Sequence, residues 1–106
     1  MAKVQEIDAQ TLARWMQEGT VHLVDIREAN EWQAERIPGA VFKPMSTLDV
    51  TQLVPPAGKT LVLQCRSGKR TMTVGMAMLA AGHTEAAHLT GGIIAWKEAG
   101  LPTEAG

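Results

Sequence analysis

The sequence predicts an α/β fold with a mostly parallel five-stranded sheet and helices on both faces. Short apolar runs alternate with amphipathic helical runs in the order β-α-β-α-β-α-β-α-β-α, the arrangement typical of parallel sheets. Two of the runs, Val21–Ile26 and Thr60–Gln64, are apolar enough to be strands covered on both sides. The chain has 106 residues, of which 45% are hydrophobic, so we predict a single domain over residues 1–106.

The first two predicted strands are joined by a well-marked helix. Lys3–Ile7 is the first strand, and Asp8 after it has a side chain suited to a helix N-cap. Apolar residues then recur at helical spacing, namely Ala9, Leu12, Ala13 and Met16. Gly19 suits the position just past the end of this helix, and Val21–Ile26 follows as the second strand.

Shorter elements follow in the middle of the chain. Asn30–Arg36 is predicted as a short helix, which the Ile-Pro-Gly sequence at 37–39 ends. Ala40–Phe42 is a brief third strand. Ser46–Leu53 is predicted to form one or two helical turns before the turn at Pro55–Gly58.

The last part of the chain contains the clearest strand and the most apolar helix. Thr60–Gln64 is the fourth strand, and Thr71–Ala81 is predicted as a helix that is apolar nearly all round. A helix of that kind is expected to be central and widely buried. Ala86–Leu89 is the predicted fifth strand, and Ile93–Ala99 is the predicted last helix.

Composition excludes several classes of function. Ten Lys and Arg residues balance eleven Asp and Glu residues, and a net charge of −1 disfavours bulk binding to nucleic acid or membranes. A single cysteine cannot form an internal disulfide. The first ten residues lack the apolar stretch of a secretory signal, so we expect a cytoplasmic location in which the thiol stays reduced.

The cysteine occupies a position where α/β proteins place their chemistry. Ligands of parallel sheets bind beyond the C-terminal ends of the strands, and Cys65 directly follows Thr60–Gln64. The loop that leads into the next helix consists of Cys65, Arg66, Ser67, Gly68, Lys69 and Arg70. A helix N-terminus and nearby cations both lower a thiol pKa, so the pattern indicates an activated nucleophile or an anion site. The alternative is that Cys65 is a small buried hydrophobic residue.

Other loop chemistries fail on spacing. A nucleotide-binding Walker loop requires a glycine at the position of Leu63 and Ser or Thr at that of Arg70. A cysteine phosphatase loop requires an arginine six positions after the cysteine, where this chain has Thr71. The histidines show no zinc-ligand spacing with Cys65, and we expect them to be ordinary surface or strand-end residues; they are His22, His83 and His88.

Five short motifs occur in order along most of the chain. They are Asp25-Ile26-Arg27, Glu31-Trp32 with Arg36-Ile37-Pro38-Gly39-Ala40, the loop Cys65 to Arg70, Gly91-Gly92-Ile93-Ile94-Ala95-Trp96, and Ala99-Gly100-Leu101-Pro102. Together they resemble the rhodanese family of sulfurtransferases, specifically its small single-domain members, over roughly residues 4–101. The resemblance implies a rhodanese-like fold. Glu35-Arg36 departs from the Gly-His that is common in the family, which puts the local turn geometry in question.

The motifs outside the loop are expected to be structural. Asp25, Arg27 and Glu31 are placed for an ion-pair network that pins the segment after the second strand. Gly91 and Gly92 are expected to allow close approach of the backbone to the cysteine loop.

The resemblance also implies an activity, that of a thiosulfate sulfurtransferase. The Cys65 thiolate takes the sulfane sulfur of thiosulfate or a similar small anionic donor and becomes a persulfide. The loop N–H groups and cations of Arg66 to Arg70 bind the anion. Cyanide, a thiol or a protein acceptor then removes the sulfur, without a cofactor or a metal. The alternatives are a phosphatase or arsenate reductase on the same fold, and a non-catalytic interaction module.

Overall fold

The computed structural model of the protein describes residues 2–105 and contains one five-stranded parallel sheet. The strands are β1 (Gln5–Ile7), β2 (Val21–Asp25), β3 (Val41–Phe42), β4 (Thr60–Gln64) and β5 (Ala87–Leu89). Their order across the sheet is β1-β5-β4-β2-β3, and every adjacent pair is parallel. The predicted α/β fold class is therefore confirmed.

Within residues 2–105 there are four α-helices, of which the first three lie between strands and the fourth follows β5. They are α1 (Ala9–Glu18), α2 (Ala29–Ala34), α3 (Lys69–Ala80) and α4 (Gly92–Glu98). The Asp8 carboxylate caps α1 by accepting from the Thr11 N–H at 2.7 Å, as predicted. Leu12 of α1 and Trp96 of α4 pack with Leu23 on one face of the sheet, whereas Val74 of α3 packs on the other face. Helices thus cover both faces.

One helical prediction is confirmed and another needs correction. The predicted segment Ser46–Leu53 contains one helical turn, Val50–Gln52, which is of the 3₁₀ type. Helix α3 has one buried side rather than a fully buried surface, and Met76 on its outer side is 61% exposed. This helix is apolar all round in sequence but lies against one face of the sheet, so its far side meets solvent.

The parallel register aligns the ends of the central strands. Residues 21–25 of β2 pair in order with residues 60–64 of β4, so Asp25 lies opposite Gln64. The segments that follow Asp25 and Gln64 therefore leave the same edge of the sheet, where the site predicted from sequence is located. No helix within residues 2–105 has the length and apolar character needed to cross a membrane.

Candidate active site

Cys65 lies at the end of the central strand β4, beneath the loop that leads into α3. Its residue exposure is 1%, and Gly68 forms the N-cap of α3 with a φ of 100°. A residue other than glycine rarely adopts that φ. The helix begins at Lys69, two residues before the predicted start at Thr71. The first turn of α3, with its unpaired N–H groups, therefore lies closer to the thiol than the sequence indicated.

The N-terminus of α4 orients the peptide groups of the loop. The N–H groups of Ile93 and Ile94 donate to the carbonyl oxygens of Cys65 and Arg66 at 2.9 and 3.2 Å. The Gly68 N–H, by contrast, donates to the Cys65 Sγ atom at 3.2 Å. The two carbonyls are thus held by α4, while an N–H group of the loop is directed at the sulfur. This arrangement stabilises negative charge on the sulfur.

Gly92 makes this contact between α4 and the loop possible. A Cβ atom at this position would lie 2.3 Å from the carbonyl oxygen of Arg66. The expected close approach of the glycine pair to the loop is therefore present in the structure.

Hydrogen bonds to the sulfur favour the thiolate. Burial of the thiol opposes ionisation, but hydrogen bonds with Thr71, Gly68 and Ser67 bring the pKa of Cys65 below its ordinary value. These hydrogen bonds distinguish Cys65 from a thiol that is simply buried among apolar side chains, whose pKa is raised.

The loop cations have different surroundings. Arg66 and Lys69 are exposed, whereas Arg70 forms a two-bond ion pair with Glu31 of α2, with distances of 2.8 and 2.9 Å. Hydrogen bonding by Arg70 lowers the pKa of Glu31 to about 2. The positive charge of Arg70 is therefore largely balanced, while Arg66 and Lys69 face the solvent.

Asp25 and Arg27 form a separate, buried ion pair after β2. The Arg27 Nε and Nη2 atoms donate to the Asp25 carboxylate at 2.8–3.1 Å, and the two side chains are 5% and 0% exposed. Arg27 also donates to the carbonyl oxygen of Glu35 at the end of α2, at 2.7 Å. Glu31, which we expected in the same network, forms its ion pair with Arg70 instead.

His88 departs from its prediction as an ordinary surface or strand-end residue. It lies in β5, is 3% exposed, and its Nδ1 atom is 2.7 Å from the Thr71 hydroxyl, which in turn is 3.7 Å from the Cys65 Sγ atom. The one available signal in the sequence was a polar residue between the apolar residues Ala87 and Leu89 of a strand. Only the pairing of β5 with β4, which sets His88 beside Leu63, brings it to the site.

A cleft of about 430 Å³ lies beside the loop, and Ser67, Lys69 and His88 are among its lining residues. The other residues that line it are Glu6, Gly68, Met72, Thr73, Thr90 and Gly91. Within residues 2–105, three or more His, Cys, Asp or Glu side chains are nowhere grouped so as to hold a metal ion.

Comparison with known proteins agrees with this geometry. The family model of the rhodanese-like domain matches residues 8–99. A sulfurtransferase of Allochromatium vinosum is 35% identical over 100 residues, covering 93% of this chain and 94% of that protein. An uncharacterised protein of Synechocystis is 42% identical over 97 residues, covering 92% of this chain but only 54% of its own length.

A solved structure is also similar to this chain. The thiosulfate sulfurtransferase of Pseudomonas aeruginosa superposes with a TM-score of 0.81 and 30% identity, over 99% of this chain and 20% of that one. The chain thus spans about half of the Synechocystis relative and a fifth of the Pseudomonas protein. Because the family model extends over nearly the whole chain, we conclude that the chain belongs to the rhodanese family.

Proposed function

We propose that the protein is a sulfurtransferase that uses Cys65 to carry sulfur from thiosulfate, or a similar sulfane donor, to an external nucleophile. The Cys65 thiolate attacks the outer sulfur of thiosulfate and forms a new S–S bond. The original S–S bond breaks, and its electron pair leaves with sulfite. The Cys65 persulfide then loses its terminal sulfur to cyanide as thiocyanate, or to a thiolate as a new persulfide, and the thiolate is regenerated.

The observation that carries this proposal is the Gly68 N–H, which lies 3.2 Å from a buried sulfur at the start of α3. A persulfide is an anion, and N–H groups held in advance stabilise it as they stabilise an oxyanion. Arg66 and Lys69 are exposed cations of the same loop, and in this proposal they attract a dianionic donor. Their roles, and that of Arg70 in holding α2 through Glu31, belong to the proposal.

A phosphatase or arsenate reductase is less compatible with the contacts of this loop. Those enzymes bind a tetrahedral anion with an arginine placed six residues after the cysteine, a position that Thr71 occupies here. Arg70, one residue earlier, is engaged by Glu31. An interaction module, the remaining alternative, has no need of a hydrogen-bonded thiol of lowered pKa.

Intact mass spectrometry tests the proposal. We expect incubation with thiosulfate, in the absence of reducing agent, to increase the mass by one sulfur atom, and cyanide to remove that increase. Cys65→Ser should show neither change, whereas Ala77→Ser, at an exposed position of α3 outside the cleft, serves as the matched control and should behave like the wild type.

The same preparations distinguish the alternatives. Hydrolysis of an aryl phosphate that is lost in Cys65→Ser would establish the phosphatase instead. An unchanged mass with thiosulfate and with other sulfane donors, together with no phosphatase activity, would leave the interaction module.

A further inference from the structure

The hydroxyl group of Thr71 lies between two ionisable groups that are both buried. It is 3.7 Å from the Cys65 Sγ atom and 2.7 Å from the His88 Nδ1 atom. Cys65, Thr71 and His88 are 1%, 0% and 3% exposed. The three side chains come from the end of β4, the first turn of α3 and the middle of β5, so the row exists only in the folded protein.

A hydroxyl group has a single proton to donate, which limits how this row can be arranged. When His88 is neutral and its Nδ1 atom lacks a proton, Thr71 donates to His88 and its oxygen can accept from the Cys65 thiol. When His88 is protonated, its Nδ1–H group donates to Thr71, whose own proton is then free for the Cys65 thiolate. The Gly68 carbonyl oxygen, 3.1 Å from the hydroxyl, is a competing acceptor in either arrangement.

A carboxylate lies near the other side of the imidazole ring. Within residues 2–105 the His88 Nε2 atom is buried without a hydrogen-bond partner, and the nearest carboxylate oxygen, from Glu6 on β1, is 3.8 Å away. Three charged or ionisable groups face His88. Glu6 and Lys69 line the same cleft, and Cys65 is linked to His88 by way of the Thr71 hydroxyl. In the neutral ring whose Nδ1 atom lacks a proton, the Nε2 atom carries one. Protonation of Nδ1 then gives an imidazolium, whose positive charge lies near the Glu6 carboxylate.

We propose that His88 is a positioning residue that receives the proton of the Cys65 thiol through the Thr71 hydroxyl. The thiol proton moves to the Thr71 oxygen while the hydroxyl proton moves to the His88 Nδ1 atom. The sulfur retains the electron pair of its former S–H bond. The products are a thiolate that accepts from Thr71 and an imidazolium beside Glu6, so protons and charge balance without a further reactant.

Burial lowers the pKa of His88, and the Glu6 carboxylate partly opposes that effect. Burial thus favours the neutral imidazole, whose Nδ1 atom can accept the proton. Formation of the thiolate then stabilises the imidazolium, so the two groups titrate as a pair.

The pH profile of Cys65 alkylation by iodoacetamide tests the relay. The proposal rests on Cys65 as the nucleophile of the proposed function, but alkylation requires no sulfur donor. His88→Asn places an amide group near the position of Nδ1 and cannot take up the proton. We expect it to raise the pH midpoint of alkylation by about one unit, a roughly tenfold lower thiolate fraction below that midpoint.

A double-variant comparison shows whether His88 acts through the hydroxyl. Thr71→Val retains the shape of the side chain without its proton, and in this background we expect His88→Asn to shift the midpoint by less than half of its effect in the wild type. Glu6→Gln, at an exposed position, should raise the midpoint by a smaller amount. Because it leaves Cys65, Thr71 and His88 in place, it serves as the test if His88→Asn does not fold.

Two results would overturn the relay. One is an alkylation midpoint in His88→Asn that equals that of the wild type. If His88→Asn does not fold, the corresponding result is a midpoint in Glu6→Gln that equals that of the wild type. The other is a His88→Asn shift that persists at half or more of its size in Thr71→Val, which would mean that the imidazole acts on the sulfur without the hydroxyl. Either result leaves persulfide formation on thiosulfate, and thus the proposed function, to be decided by mass.

Discussion

The three cations of the cysteine loop differ in what they can do. Arg70 is held by Glu31 at 2.8 and 2.9 Å, so its charge contributes to the packing of α2 against α3. Arg66 and Lys69 are exposed at the loop. An exposed cation beside a buried sulfur speeds the encounter with an anion and has less effect on the ionisation of the thiol.

Lys69→Ala should therefore raise the KM for thiosulfate severalfold with little change in kcat. The reason is that the lost attraction stabilises the bound donor and the transition state equally. The effect should shrink as salt is added, since the screening length is about 8 Å at physiological ionic strength. The measurement is kcat/KM across a salt series.

Lys59→Ala is the matched control for this experiment. Lys59 is exposed and directly precedes β4, so it lies at the opposite end of that strand from Cys65, about 20 Å away by strand rise. It should match the wild type at every ionic strength. Identical values for Lys69→Ala and the wild type would show that Lys69 does not attract the donor.

At the level of elements, α4 supports the cysteine loop by hydrogen bonding to its backbone. The helix contributes the N–H groups of Ile93 and Ile94, and Gly92 at its first position allows the approach. The cysteine loop and α4, which are far apart in sequence, are thereby joined through backbone atoms. Substituting the side chain of Ile93 or Ile94 would leave these hydrogen bonds in place.

Gly92→Ala should destabilise the fold by about 2 kcal/mol or more and reduce sulfur transfer, because the new Cβ atom meets backbone that cannot easily move. Gly100→Ala, past the other end of α4, shares the positive φ but has no neighbour within 4 Å. It should cost about 1 kcal/mol and leave sulfur transfer intact. Equal losses of stability and activity in the two variants would refute the role of the close approach. Denaturant unfolding and persulfide formation measure both effects.

The ion pair between α2 and α3 should make stability depend on pH. Because the pKa of Glu31 is lowered from 4.5 to about 2, the ionised pair stabilises the fold above pH 4.5. That stabilisation is lost as the pH falls towards 2. Glu31→Gln should thus be about 1 kcal/mol less stable than the wild type near neutral pH, a small value because both side chains are partly exposed. The difference should decrease through this pH window, and a difference independent of pH would contradict the assignment. Glu18→Gln, at an exposed position, is the control.

For the molecule as a whole, the decisive feature is that the parallel strands end together. Asp25 and Gln64 are opposite one another, and both are buried at the edge from which the functional segments leave. The buried pair of Asp25 and Arg27 links that edge to the end of α2 through the Glu35 carbonyl. We therefore expect this ion pair to contribute to the free energy of unfolding of the whole domain.

Asp25→Asn should destabilise the protein by about 3 kcal/mol or more, because it leaves the Arg27 guanidinium buried without its counter-charge. The free energy of unfolding in denaturant measures this loss. Glu85→Gln removes the same charge at an exposed position and should be close to neutral. Similar values for the two variants would show that the buried pair does not stabilise the fold.

Local patterns in the sequence determined the order of elements, the helix ends at Asp8 and Gly19, and the loop of Cys65. Each of these depends on a few neighbouring residues, so spacing and residue type are sufficient to predict them. Tertiary structure alone decided that Arg70 pairs with Glu31, 39 positions away, and that His88 reaches Thr71 across 17 positions. It also left Met76 of an apolar helix exposed. Such contacts depend on strand order and register, which bring distant residues together and which no short stretch of sequence specifies.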